Sequence, residues 1–355
     1  MQTPLIAAEQ GGLFSRAQAA DDGWSKGALD RALASGRTVA LSPGIHVDAQ
    51  VLADLSRRDA HLMTARAEIL CLGDSWYAAR RTAAVLHGLP LLGQAPAVPQ
   101  LTRARRGPSV RSSSRHRQIN GLEPWETTVL DGIPVTTLAR TVFDLARRES
   151  FRSGVVVADA ALRAGLDREE LRAVLDAHRG WPGTRRARKV IDFADGRSES
   201  PLESQCRVTC SEEGLPVFEP QVQVWLDGEL VARVDGLWRE RLVVFEGDGA
   251  VKFVDDPDDA LPALLVRQER LREAGLPVVR AFWRDQRRRE QWARGVRREL
   301  EDNPGRLRPG VELRSTEVRV TPLDRSDHYA WPPLPLVYAT PRSPAAERAI
   351  RRGAA

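Results

Sequence analysis

The chain has 355 residues, 42% of them hydrophobic and 28% charged, which is too long for one ordinary core and fits a multidomain globular protein. No apolar run reaches the ~18 residues of a membrane span, and no basic segment precedes an apolar leader, so a cytoplasmic protein without membrane contact is expected. A net charge of +5 and a pI near 9.5 admit anionic partners without demanding them. Of the 53 basic residues only Lys26, Lys189 and Lys252 are lysine, a skew that looks like coding bias and weakens any argument from arginine abundance. Cys71, Cys206 and Cys210 leave no even disulfide framework, and core packing is the expected role of the last two.

Residues 1–50 carry dense helix punctuation. A short apolar helix over Pro4–Gln10 is stopped by Gly11-Gly12. Ser15 is placed to cap a second helix from Arg16, and Ser25 a third with Leu29, Ala32 and Leu33 on one face. Thr38-Val-Ala-Leu, Ser42-Pro-Gly and Ile45-His-Val then read as a hairpin. Three short helices and a hairpin predict a winged helix-turn-helix, with Arg16, Lys26, Arg31 and Arg37 as candidate DNA contacts and Asp30 opposing them. A protein-docking module is the competing reading.

Residues 51–196 form an expected mixed helical and β middle region. Helices are predicted over Arg57–Leu72 and Asp74–His87, with His87 at a helix C-terminus where the dipole suits it. A basic, turn-rich connector follows over 94–118, with one strand near Pro108–Arg111. Asp131-Gly132 is placed as a hairpin turn before a helix capped by Thr136 or Thr137, in which Arg140 and Asp144 make a local ion pair. Further helices are expected near 155–163, 168–178 and 185–193.

From Ser198 the pattern becomes helix, three strands, helix, strand, and residues 197–290 are expected to form an α/β domain. Ser200-Pro-Leu-Glu203 opens the first helix, with Glu203 where a capping box would use it. Asp235 interrupts one Val-rich strand, and Glu246 and Asp248 interrupt the end of the next. Acids inside such strands are costly unless paired, coordinated or exposed. If the intervening turn is centred on Arg239-Glu240, Asp235 lies opposite Val244 and diagonal to Glu246, roughly 7–8 Å away at the backbone. All three carboxylates then share one face; a one-residue slip would send Asp235 to the other. Asp248-Gly249 also reads as a turn ending the strand. Residues 291–355 are expected to be a basic, Pro-rich extension, helical at first and then partly extended.

The order α-β-β-β-α-β, with Ser200-Pro-Leu-Glu203, Val234-Asp235, Glu246-Gly-Asp-Gly249 and Lys252, resembles the PD-(D/E)XK, restriction-endonuclease-like nucleases, most closely the branch related to very-short-patch-repair endonucleases. The Gly12–Val47 module, Ala83–Pro90 and Asp131–Ala146 resemble AbiEi-type antitoxins and related actinobacterial winged-helix regulators. The first resemblance implies a Mg²⁺-dependent DNA endonuclease: Asp235 and Glu246 as metal ligands, Glu203 binding through water, and Asp235, Glu246, Asp248 and Lys252 as the catalytic set. Where that family carries a cation two residues after the second acid, this chain carries Asp248, and Lys252 is the candidate substitute. The second resemblance implies the alternative, a DNA-binding antitoxin-type regulator with an inert nuclease-like domain, with a toxin or other regulatory protein as a further partner.

Overall fold

The computed structural model describes residues 4–73, 75–94, 96–103, 121–248, 266–303 and 305–325, and the backbone alone of 110–111 and 116–118. Lys252, Gly249 and everything beyond 325 lie outside the described residues. The described residues are mixed helix and sheet, with three sheets of three, six and five strands. It divides into two compact units: unit 1 holds the residues up to Leu145 and those from Leu323 on, and unit 2 runs from Ala146 to Pro322. The stretch 51–196 is therefore shared between them.

Unit 1 begins α1 (Leu5–Glu9), β1 (Leu13–Ser15), α2 (Arg16–Asp21), α3 (Lys26–Ala34), β2 (Thr38–Ser42) and β3 (Ile45–Asp48). The strands form an antiparallel sheet in the order β1-β3-β2. Ser15 and Gln18 close a reciprocal capping box on α2, with Ser15 Oγ accepting from the Gln18 N–H at 3.1 Å and Gln18 Oε1 accepting from the Ser15 N–H at 2.7 Å. Ser25 Oγ accepts from the Ala28 N–H and starts α3. Ala7, Phe14, Ala19 and Leu29 pack where the three helices meet β1. Ser15→Ala is expected to destabilise this module by ~1 kcal/mol, read as a lowered urea midpoint, because one end of the box is lost.

After α4 (Ala49–Ala53), the helix α5 (Arg57–Leu72) has the predicted bounds. It is buried on both sides: Met63 and Ala67 pack on Leu13, Ile45 and Val47, while Leu62, Ile69 and Leu72 join Leu101, Ile133 and Val135. The helix expected over 74–87 is instead a strand, β4 (Trp76–Ala78), followed by α6 (Arg80–His87). The connector likewise contributes β5 (Gln100–Arg103), β6 (Val110–Arg111) and β7 (His116–Gln118). With β8 (Thr127–Leu130) and β9 (Ile133–Thr136) these make a six-stranded sheet in the order β6-β7-β5-β4-β9-β8. Such short segments take strand form from their partners rather than from their own preference. The Asp131-Gly132 turn is as expected, both residues having positive φ (49° and 70°), as a tight hairpin turn requires. His87 ends α6 as expected and is also buried, its Nε2 2.8 Å from the Thr136 carbonyl oxygen, so it ties α6 to β9. Burial holds its pKa below the ordinary value.

The helix α7 (Leu138–Arg148) leads into unit 2, where α8 (Phe151–Arg163), α9 (Arg168–Ala177) and α10 (Thr184–Phe193) precede α11 (Pro201–Glu212). Arg207 of α11 pairs with Asp159 of α8 at 3.0 Å, both side chains buried. The sheet that follows comprises β10 (Glu219–Leu226), β11 (Glu229–Trp238), β12 (Val243–Asp248), β13 (Val278–Phe282) and β14 (Val311–Ser315), ordered β13-β12-β11-β10-β14. Among its described residues only the β12–β13 pairing is parallel, and a helix over 266–273, α12, precedes β13. One side of the sheet packs Phe218, Trp238 and Phe245 against α11 and α13 (Arg289–Asp302); the other packs Val222, Val224, Leu237 and Val244 against Leu271 of α12 and Ala274 in the turn after it. The expected extension is thus partly built into the fold. Ala293, Val296 and Leu300 give α13 a buried stripe, and β14 covers the edge of β10. Cys206 and Cys210 are buried and free, and burial pushes the Cys210 thiol up to about 12.

Candidate functional site

Two groups of residues carry the chemistry anticipated from the sequence, one in each unit. In unit 1, Lys26, Asp30 and Arg31 on α3 are exposed, as are Arg16 and Arg37. Buried Leu29 and Ala32 hold the helix down, so its polar side faces outward. Asp30 pairs with Arg16 at 3.6 Å, both side chains about half exposed, and this cancels part of the positive field. Arg37 opens β2 with its Nε 3.4 Å from Ser35 Oγ. The four proposed contacts belong to one small module of two capped helices and a hairpin.

In unit 2 the four carboxylates do not form one set: Glu203 is on α11, Asp235 within β11, and Glu246 and Asp248 at the end of β12. The β11–β12 register pairs Leu237 with Val244 and Gly236 with Phe245, two residues from the predicted one, because the turn is longer than assumed. That shift alone would preserve the shared face. The difference is local: the β10–β11 ladder keeps its register from Pro220↔Gly236 to Val222↔Val234 but lacks the pair between them, where Gln221, opposite Asp235, has a φ of +54°. Val234 and Leu237, three apart, lie in the same core layer, so alternation slips by one between them.

Asp235 is thereby turned to the α11 side. Its Oδ2 accepts from the Gly247 N–H at 2.8 Å. A Cβ at Gly247 would stand 3.7 Å from both Asp235 Oδ2 and Glu203 Cγ, which places these two acids over the same spot. Ser200 Oγ caps α11 by accepting from the Glu203 N–H, but the reciprocal bond of a capping box is not made: Glu203 Oε2 accepts from the Glu199 N–H at 2.9 Å, one residue before the cap, and from Gln221 Nε2 at 3.1 Å, and its Oε1 accepts from Ser200 Oγ at 2.7 Å. Burial, with the Asp235 charge beside it, pushes the Glu203 pKa up to about 7.

Glu246 and Asp248 alternate with Gly247 and face α12. Glu246 Oε1 accepts from Arg267 Nη2 at 2.8 Å, and the same nitrogen donates to the Arg233 carbonyl oxygen at 2.7 Å. Asp248 Oδ2 accepts from Arg280 Nη1 at 2.8 Å. Both carboxylates are 8% exposed, so these are largely desolvated ion pairs. Arg267 and Arg280 are the residues that sequence reasoning missed, since nothing in the arginine-rich background sets them apart.

The donor atoms are the hard oxygens a Mg²⁺ ion takes, but their arrangement does not suit one. Among the described residues, no group of three or more His, Cys, Asp or Glu side chains could hold a metal ion. Glu203, Asp235 and Glu246 do not form a common cage, and Glu246 already has a guanidinium partner.

Known proteins add little chemistry. No protein-family model matches the chain. Two uncharacterized proteins of Mycobacterium tuberculosis, from strains CDC 1551 / Oshkosh and ATCC 25618 / H37Rv, are each 31% identical over 160 residues, covering 45% of this chain and 58% of the relative. No helix among the described residues is long and apolar enough to cross a membrane.

Proposed function

We propose that this chain is a DNA-binding regulator similar to AbiEi-type antitoxins, reading DNA with a winged helix-turn-helix at residues 13–48. Its C-terminal sheet is a restriction-endonuclease-like fold that serves as scaffold and contact surface rather than as a metal-dependent nuclease. The observation that carries this reading is the pairing of Glu246 with Arg267 and Asp248 with Arg280, which neutralises the two acids nuclease chemistry would require for a metal and its surroundings. The order helix, strand, helix, helix, hairpin in unit 1, with exposed Lys26 and Arg31 on the third helix, supports the DNA-binding half.

The competing reading is a Mg²⁺-dependent endonuclease, favoured by the buried Glu203–Asp235 neighbourhood, where two like charges lie close together. One set of measurements separates the two. Purified protein is expected to bind DNA from upstream of its own gene with strong salt dependence, and Lys26→Gln/Arg31→Gln is expected to weaken that binding ~10-fold or more. Supercoiled plasmid is expected to stay intact with Mg²⁺ or Mn²⁺. Cleavage that disappears in Asp235→Ala and Glu246→Ala would establish the endonuclease instead.

A further inference from the structure

Unit 2 has a second basic feature that neither family resemblance uses. The turn Trp283–Arg287 and the first two turns of α13 enclose a cleft of about 560 Å³, lined by Arg280, Arg284, Arg287, Arg288, Gln291 and Trp292. Arginine is abundant everywhere in this chain, so the number alone decides nothing. What distinguishes three of these guanidinium groups is that they line one cleft together without an acidic partner; Arg280, the fourth, pairs with Asp248. Some other arginines of unit 2 are paired, Arg197 with Asp195 and Glu219, Arg233 with Glu199, Arg239 with Glu219 and Arg314 with Glu312, so exposure alone does not mark a contact. Arg284, Arg287 and Arg288 are exposed and have no ion-pair partner among the described residues. The one acid in the wall, Asp285, is engaged with its own backbone: its Oδ2 accepts from the Phe282 N–H at 2.8 Å.

The cleft is also built rather than incidental. Gln286 holds the turn from below, its Oε1 3.4 Å from Arg152 Nη1 and its Nε2 3.3 Å from Cys206 Sγ. Trp292 Nε1 donates to the Arg280 carbonyl oxygen at 3.0 Å, fixing α13 against β13. Arg284 lies 4.7 Å from the centre of the Phe282 ring, which limits its rotamers. Gly295, in the wall on α13, has nothing within 4 Å of where a Cβ would stand, so the opening is not closed from the helix side. Unpaired, partly ordered guanidinium groups around an open cleft match spaced phosphate oxygens, which they bind through forked hydrogen bonds.

We infer that this cleft is a second DNA contact, taking the phosphodiester backbone without reading sequence. The identity of the anion rests on the DNA-binding reading above; the cleft itself does not depend on the winged helix. Its test compares three full-length proteins on a labelled random-sequence duplex across a salt series, by fluorescence anisotropy: wild type, Arg284→Gln/Arg287→Gln/Arg288→Gln, and Lys26→Gln/Arg31→Gln. The triple variant is expected to lose ~10-fold or more in affinity and to lower the salt slope by ~2–3, since each phosphate contact contributes a little under one. Gly295→Leu, which fills the cleft without removing a charge and adds a better helix former, is expected to weaken binding in the same direction.

A triple variant with wild-type affinity and slope overturns the inference, and leaves the winged-helix reading standing if Lys26→Gln/Arg31→Gln is impaired. Loss in the triple variant alone upholds the cleft and removes the winged helix as a general DNA contact. Wild-type protein that binds no duplex at low salt overturns both.

Discussion

Arg140→Met is expected to destabilise unit 1 by about 3–5 kcal/mol, the usual cost of removing one partner from a buried charge network. Arg140 is fully buried on α7, with Nη1 2.5 Å from Glu126 Oε2 and Nε 2.9 Å from Asp144 Oδ2, and both carboxylates are buried too. Glu126 Oε2 also accepts from the Glu123 N–H at 3.0 Å, so the same oxygen fixes the turn that precedes β8. Methionine fills much of the volume but leaves two desolvated carboxylates without the guanidinium they share. Arg140→Lys is expected to restore little, because an ammonium cannot address two acids through a planar fork. Adding Glu126→Gln and Asp144→Asn to Arg140→Met should recover part of the loss. The check is a urea titration of the full chain; a cost below ~1 kcal/mol for Arg140→Met would show that the network is not holding α7 to the hairpin.

The second large effect is pH-dependent and belongs to Glu203. Its pKa in the fold is raised from 4.5 to about 7 by burial and then by Asp235, so the native state holds a proton that the unfolded chain releases. Its stabilising contribution is therefore fully present below pH 4.5 and is lost as pH rises through about 7. At ~1.4 kcal/mol per pKa unit, the loss is on the order of 3 kcal/mol. Glu203→Gln keeps the shape and most of the hydrogen bonds but cannot ionise. The variant should gain on wild type as pH rises through that interval. Asp159, which burial raises to about 6, contributes the same sign in both proteins and drops out of the difference. Urea midpoints of the two proteins measured from acid to mildly alkaline pH give the profile. Parallel profiles would show that Glu203 titrates near its ordinary value and that its proximity to Asp235 has no energetic consequence.

Much of the local structure was legible because its signals are short-range. Ser15, Ser25 and Asp167 cap the helices where their side chains predict, and Asp131-Gly132 turns the hairpin. The bounds of α5 follow from Ser56 before it and Gly73 after it. The strands β4, β5 and β7 were not legible, whereas β6 falls on the strand expected near Pro108–Arg111. A three-residue strand such as Trp76–Ala78 has no periodicity to read and exists because β5 and β9 flank it. The tail shows the same limit: Val311–Ser315 is strand because the edge of β10 is open to it, although its own sequence is charged and unremarkable.

The three acids that interrupt the strands of unit 2 mark the boundary most sharply. The sequence by itself determined that Asp235, Glu246 and Asp248 would interrupt Val- and Phe-rich strands or their ends, that Glu203 would sit in the first turn of a capped helix, and that each strand acid had to be paired, coordinated or exposed. It could not determine which interaction. A single slip of alternation between Val234 and Leu237 sends Asp235 to the side of Glu203, and it falls where Gln221 of the paired strand takes a positive φ. Arg267 and Arg280 reach Glu246 and Asp248 because α12 and β13 pack beside β12, a contact between residues up to 32 positions apart. Strand alternation and capping are properties of neighbouring residues, whereas the neutralisation of a buried charge is decided by whatever the tertiary fold brings within hydrogen-bonding distance.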